Sequence, residues 1–293
     1  MPTARPLDLD IRCRLGEGPT WDPEGRVAHM VDIDEGVLWE ISFGIGEEEP
    51  RAVVVLRLRT TLGAAVHSDD GGFLLAQGQS LQHVDLNGRL VREIPVIAPG
   101  TASRLNDGAV DREGRYLVGS LALDGRSGQE HLWQLDHDGS LRVLDDDLNL
   151  SNGLGWSPDG SVLYSVDSVP GAIWARDYDA DTGRCGVRHR LLTVVDGTPD
   201  GLAVDEEGNL WVAIWGRGEI RGYRPDGRQT ESISVGPPHT TSCAFAGPAL
   251  QTLLITTAGR QVGSTPPTPW CGRIFVADMA VSGRPTTAWR HIA

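Results

Sequence analysis

Five residues stand eight positions ahead of five glycines: Glu17 before Gly25, Gly63 before Gly71, Asn106 before Gly114, Asn152 before Gly160 and Asp200 before Gly208. Four of them carry side-chain oxygens, and two of those are carboxylates. Carboxylates brought into contact repel unless a cation or a proton lies between them. A donor set of acids and amides suits a hard divalent cation, calcium first, with magnesium or manganese beside it and zinc still open. An ion held by few protein groups keeps positions free for a substrate oxygen and a water. The question is which elements would bring these five residues to one place.

Each glycine closes a turn: Trp21-Asp-Pro-Glu-Gly25, His67-Ser-Asp-Asp-Gly71, Val110-Asp-Arg-Glu-Gly114, Trp156-Ser-Pro-Asp-Gly160 and Val204-Asp-Glu-Glu-Gly208. They fall 46, 43, 46 and 48 residues apart, and a run of strand formers follows each one. Thr241-Ser-Cys-Ala-Phe245 leading to Leu253-Leu-Ile-Thr256 is a sixth copy without the glycine. Two further strand-like runs separate successive copies. The chain therefore reads as all-β: four short strands per repeat and six repeats, a six-bladed β-propeller forming one domain over residues 1–293. The first strand of each blade is innermost, so residues in one register form a ring at the axis, with Thr241 as the sixth member. The alternating Leu7-Asp-Leu-Asp-Ile-Arg-Cys13 or the C-terminal Ala288 to Ala293 is expected to supply the outer strand of the last blade.

Composition removes other chemistries. Lys plus Arg is 26 against 40 for Asp plus Glu, a net charge of −14, which speaks against nucleic acid and anionic membranes and suits a neutral small molecule or a cation. There is no lysine, which excludes Schiff-base and P-loop chemistry. Cys13, Cys185, Cys243 and Cys271 form no close pair and read as small apolar residues. No Gly-x-Ser-x-Gly elbow occurs. With no apolar leader and no membrane-length apolar run, a cytoplasmic protein is expected, as a monomer or weak homo-oligomer. Asn and Asp often merely brace turns, but four oxygen-bearing residues in one register are not scattered as turn residues would be. His67 occupies a column filled elsewhere by Trp21, Trp156 and Phe245 and reads as packed, whereas His239, just before the sixth rung, could line a pocket.

Leu15-Gly-Glu-Gly-Pro-Thr-Trp21, Ser103-Arg-Leu-Asn-Asp-Gly108, Ser151-Asn-Gly-Leu154, Thr198-Pro-Asp-Gly-Leu202 and Thr241-Ser-Cys-Ala-Phe245 resemble, in order and spacing, the motif series of the gluconolactonase/regucalcin (senescence marker protein) family. The resemblance implies a metal-dependent lactonase acting on sugar lactones. Glu17, Asn152 and Asp200 match the family's metal ligands, Arg104 and Asn106 its substrate-holding residues, and Asp124 an acidic substrate contact after the second strand of blade three. On that reading the metal polarises the lactone carbonyl, Asp200 lines up the attacking water as general base, and Arg104 stabilises the oxyanion. The loops near Asp124, His239 and Gln261 to Trp270 would choose among lactones. The alternatives are a hydrolase of other lactones or organophosphates on the same architecture, and a calcium-binding propeller without activity.

Overall fold

A computed structural model of the chain describes residues 3–43, 49–260 and 268–292, and among them there is no helix. Six antiparallel sheets carry the chain round a central axis. Blade one is Gly16–Asp22, Val27–Asp32, Val37–Ser42 and Arg51–Arg57, and blade two is Leu62–His67, Phe73–Gln77, Ser80–Val84 and Leu90–Pro95. The inner strands of blades three to six are Ser103–Val110, Ser151–Trp156, Thr198–Val204 and Thr240–Ala246. Blade four adds a two-residue strand, Arg184–Cys185, beyond the usual four.

The turns form for the reason their composition suggests. Gly71, Gly114, Gly160 and Gly208 all take positive φ, between 77° and 96°. In blade one the left-handed position falls one residue later, on Arg26 at φ 55°. The turn aspartates are spent on the turns: Asp111 Oδ1 accepts from the backbone N–H of Glu113 and Arg115, and Asp205 Oδ1 from those of Glu207 and Asn209. These acids are structural, and they differ in kind from the ring set.

Neighbouring blades bury their faces against each other. Between blades three and four lie Leu117, Leu132, Leu148, Leu154, Leu163 and Tyr178. Between five and six, Trp211, Ile220 and Ile233 meet Phe245, Leu253 and Ile255. Each such side chain contributes roughly 1.5–3 kcal/mol when fully buried, so the wedges between blades hold the ring closed. His67 lies in such a wedge, its Nε2 2.9 Å from His29 Nδ1 and its ring against Phe73.

The last blade is closed by neither expected segment. Its outer strand is Arg5–Pro6, with Arg5 opposite Val276 and Pro6 opposite Phe275. Residues 7–13 continue beside the blade without forming a strand, although their alternation is real: Leu7, Leu9, Ile11 and Cys13 are buried. The C-terminal segment crosses the face that carries the turns. The Glu206 N–H donates to Ser282 O in blade five, Arg284 Nη1 to Ser157 O in blade four, the Arg290 N–H to Gly114 O in blade three, and Trp289 O accepts from Asp69 in blade two. Trp289, 1% exposed, plugs the core between blades two and three. With that indole buried and the backbone of Trp289 and Arg290 bonded to the turns of blades two and three, these residues are committed to the turn face rather than to an outer strand of blade six. Ala293 lies outside the described residues.

Candidate active site

All six inner strands break register at the same height. The pairing jumps between Glu17 and Thr20, Leu62 and Ala64, Leu105 and Gly108, Asn152 and Leu154, Pro199 and Leu202, and Thr240 and Ser242. Each break is a bulge at the rung, the device by which a strand re-aims a side chain. Pro19 and Pro199 are tolerated there because the inner strand presents an edge to the axis. Small residues let the strands close in. A Cβ on Gly63 would meet Asn106 O at 2.6 Å, and one on Gly153 would meet Asp200 O at 2.7 Å.

Five of the six expected site residues converge here and are buried: Glu17 and Asp200 at 7% exposure, Asn152 at 6%, Asn106 at 5% and Arg104 at 9%. A directed chain of hydrogen bonds fixes the amides. Arg104 Nη1 donates to Asn106 Oδ1 at 2.7 Å, and Asn106 Nδ2 donates to Asn152 Oδ1 and Ser151 O, both at 2.8 Å. Asn152 Nδ2 donates to Ser168 Oγ at 2.9 Å, and Ser168 Oγ donates to Pro199 O at 2.7 Å, beside Asp200. The chain joins blades three, four and five, and members of such a series polarise one another. Thr241 is on the rung but its hydroxyl is spent bolting blade six to blade one, donating to Gly16 O at 2.5 Å.

The carboxyls form the opposite kind of group. Burial pushes Glu17 well above the usual carboxylate range, and the charges of Asp200 and Asp107 push it further. Burial and Asp107 do the same to Asp200, whose Oδ1 has no hydrogen-bond partner among the described residues. Burial brings Arg104 down to about 10, with Arg260 adding to the fall against the pull of Asp34 and Glu17. Asp124 is not brought into the ring. It sits on the rim, 48% exposed at its side chain, with Oδ2 2.9 Å from Arg126 Nη1.

Asp107 is a third acid at the axis that strand alternation hides, because the bulge between Leu105 and Gly108 spends two residues where one is expected. It lines a cavity of about 230 Å³ on the axis, walled by residues of all six inner strands and floored by Arg284 to Thr287 of the C-terminal segment. Burial lifts its carboxyl to about 6. A protonated Asp107 therefore stabilises the fold fully below about pH 4, and that stability is lost as pH rises through about 6. The unfolding free energy of Asp107→Asn relative to wild type should grow between pH 4 and 7 and level off above, by up to about 3 kcal/mol, with the melting-temperature difference following it. Differential scanning fluorimetry in chelator would check it, and a gap independent of pH would contradict it.

Above the ring, His239 stacks on Trp215 with centroids 4.3 Å apart, and the Arg260 guanidinium lies 5.9 Å from the same indole. Only His239 of these three was marked by the sequence, and the neighbouring residues 261–267, where specificity was expected, lie outside the described residues.

The architecture is a six-bladed propeller with acids, amides and one arginine gathered at its axis. Residues 15–259 match the family model described as the SMP-30/gluconolactonase/LRE-like region, and the chain belongs to that family. It is 31% identical over 288 residues to the pentonolactonase XacC of Haloferax volcanii, covering 94% of this chain and 95% of that protein. It is 30% identical over 290 residues to regucalcin of Xenopus laevis, again covering 94% and 95%. A solved structure described as a calcium-binding protein, regucalcin, from Agrobacterium tumefaciens superposes with a TM-score of 0.90 at 28% identity, covering 99% of this chain and 98% of that one.

Proposed function

We propose that this chain, a lactone-hydrolysing enzyme by its family, opens a sugar lactone to the aldonic acid at the axial ring. One observation carries the reading: Glu17 and Asp200 are buried together, the charge of Asp200 raising the cost of ionising Glu17, and Asp200 Oδ1 is an acceptor with nothing to accept among the described residues. An orphaned buried acceptor costs about 1–3 kcal/mol, and a cation between the two acids removes both penalties. Glu17, Asn152 and Asp200 would hold it. Ser168 takes the Asn152 amide N–H, so that Oδ1 faces the ring with a lone pair beyond the one Asn106 uses. Oxygen donors place calcium first, ahead of zinc, manganese and magnesium. When bound, the ion supplies Lewis-acid polarisation of the lactone carbonyl.

The remaining work belongs to the side chains. Asp200 orients a water and takes its proton as the water oxygen bonds to the carbonyl carbon. The ring C–O bond then breaks, and the departing oxygen takes that proton back. Arg104, buried and bonded among the described residues to Leu105 O and Asn106 Oδ1 through Nη1, aims its other donors at the oxygen that gains charge. Both Nδ2 hydrogens of Asn106 are used, so it serves a sugar hydroxyl as an acceptor. Asp124 is a rim contact for a distal hydroxyl, shared with Arg126. The pentonolactonase among the relatives supports a sugar as the lactone's carbon frame.

The test is acid release in a pH-stat. Metal-stripped protein should open no pentono- or hexonolactone above the uncatalysed rate, and added divalent ion should restore opening. Undiminished turnover in excess chelator would remove the metal from the mechanism. Turnover of phosphotriesters but of no sugar lactone would replace the substrate class.

A further inference from the structure

The backbone beside the ring mouth ties two arginines together. The N–H groups of Gly259 and Arg260 donate to Arg14 O at 3.1 Å, and Gly259 also donates to Cys13 O at 3.0 Å. Arg12, Arg14 and Arg260 then line one cavity of about 590 Å³ together with Cys13, Gly259, Thr268, Pro269 and Cys271 among the described residues. That volume lies in the range of small-molecule pockets. No carboxylate lines it among the described residues. The acids nearest its arginines lie outside it: Asp34 is 3.4 Å from Arg260 Nη1 and 3.9 Å from Arg14 Nε, and Glu35 is 3.6 Å from Arg14 Nε. Such long, partly exposed pairs are worth little. Arg12 pairs with no acid among the described residues.

Arg260 links this groove to the ring. Its guanidinium lies over Trp215, on which His239 stacks, and its charge is felt at Arg104 and Asp200. The net charge of −14 favoured a neutral substrate, yet this groove is lined by three guanidinium groups and, among the described residues, no carboxylate. We infer that the groove of Arg12, Arg14 and Arg260 receives an anionic substituent at the far end of the lactone, so that the preferred substrate is an acidic sugar lactone. Guanidinium forks match the paired oxygens of carboxylates, phosphate esters and sulfonates alike. The inference rests on the lactonase reading of the ring.

The experiment compares kcat/KM for neutral pentono- and hexonolactones with lactones that bear a distal carboxylate, phosphate ester or sulfonate, using metal-loaded enzyme. Wild type should prefer at least one anionic lactone by about tenfold or more, a preference that shrinks as salt rises. The head group with the largest preference identifies the anion. In Arg260→Gln the anionic-to-neutral ratio should fall about tenfold. Arg12→Gln, on the other bank and outside any described hydrogen bond, should move the ratio the same way. Equal use of neutral and anionic lactones by wild type, or a ratio unmoved in both variants, would overturn the inference and leave the lactonase reading standing. Opening of no lactone at all would sink that reading, and the inference with it.

Discussion

Asp200→Asn should lose about 10³-fold or more in kcat while raising the melting temperature of the metal-free protein. The two effects have one origin. On the proposed mechanism Asp200 takes a proton from the water that attacks the lactone carbonyl, and proton transfer by a positioned group is worth about 10²–10⁴. The same carboxylate is buried against the charges of Asp107 and Glu17, with Oδ1 unpaired. Removing its charge relieves that repulsion, and a relief of 1 kcal/mol shifts the melting temperature of a chain this size by about 2–4 °C. Metal affinity should fall with activity. Pre-steady-state acid release and scanning fluorimetry in chelator give the two numbers. A kcat within tenfold of wild type would deny Asp200 its role as base, and a lower melting temperature would deny the repulsion.

Arg104→Met is expected to act in the opposite direction on the metal. Methionine fills the stem's space but removes the cation that burial already holds at about 10. The oxygen that gains charge loses its donor, and kcat should drop about 10²–10³-fold, as for other oxyanion donors. Glu17 loses a neighbouring positive charge, and a cation beside it loses a repulsion, so calcium should bind a few-fold more tightly. Isothermal titration beside the kinetic assay separates two roles. Tighter binding with slow turnover marks a group that acts on the substrate. Weaker binding would mean that Arg104 works by positioning Asn106 and, through it, Asn152.

Much of this architecture was legible because the chain repeats itself. Turn glycines recurring in the forties, each with a strand behind it, state the blade count and the register of the ring, and counting back eight residues reaches Glu17, Asn106, Asn152 and Asp200. Two kinds of information were not legible. Bulges depend on which strand is opposite, so Asp107, next to Asn106, looked like a residue on the wrong face until the pairing jumped from Leu105 to Gly108. Contacts between distant segments carry no local mark either. Ser168 orients Asn152 from the end of another strand, Arg260 reaches the mouth only because its backbone is zipped to Arg14, and the C-terminal segment is held by four turns rather than by a sheet. Asp124 lies on a loop outside the repeating register, so no count along the chain fixes its place, and its carboxylate pairs with Arg126 at the rim.

The account depends on acids and amides from blades one, four and five gripping one ion. Crystals soaked in manganese, measured for anomalous scattering, test that directly. The expected result is a single strong peak on the axis, bounded by oxygens of Glu17, Asn152 and Asp200, that disappears in Asp200→Asn. Saturating metal with no peak in the ring, or a peak held by other residues, would contradict it.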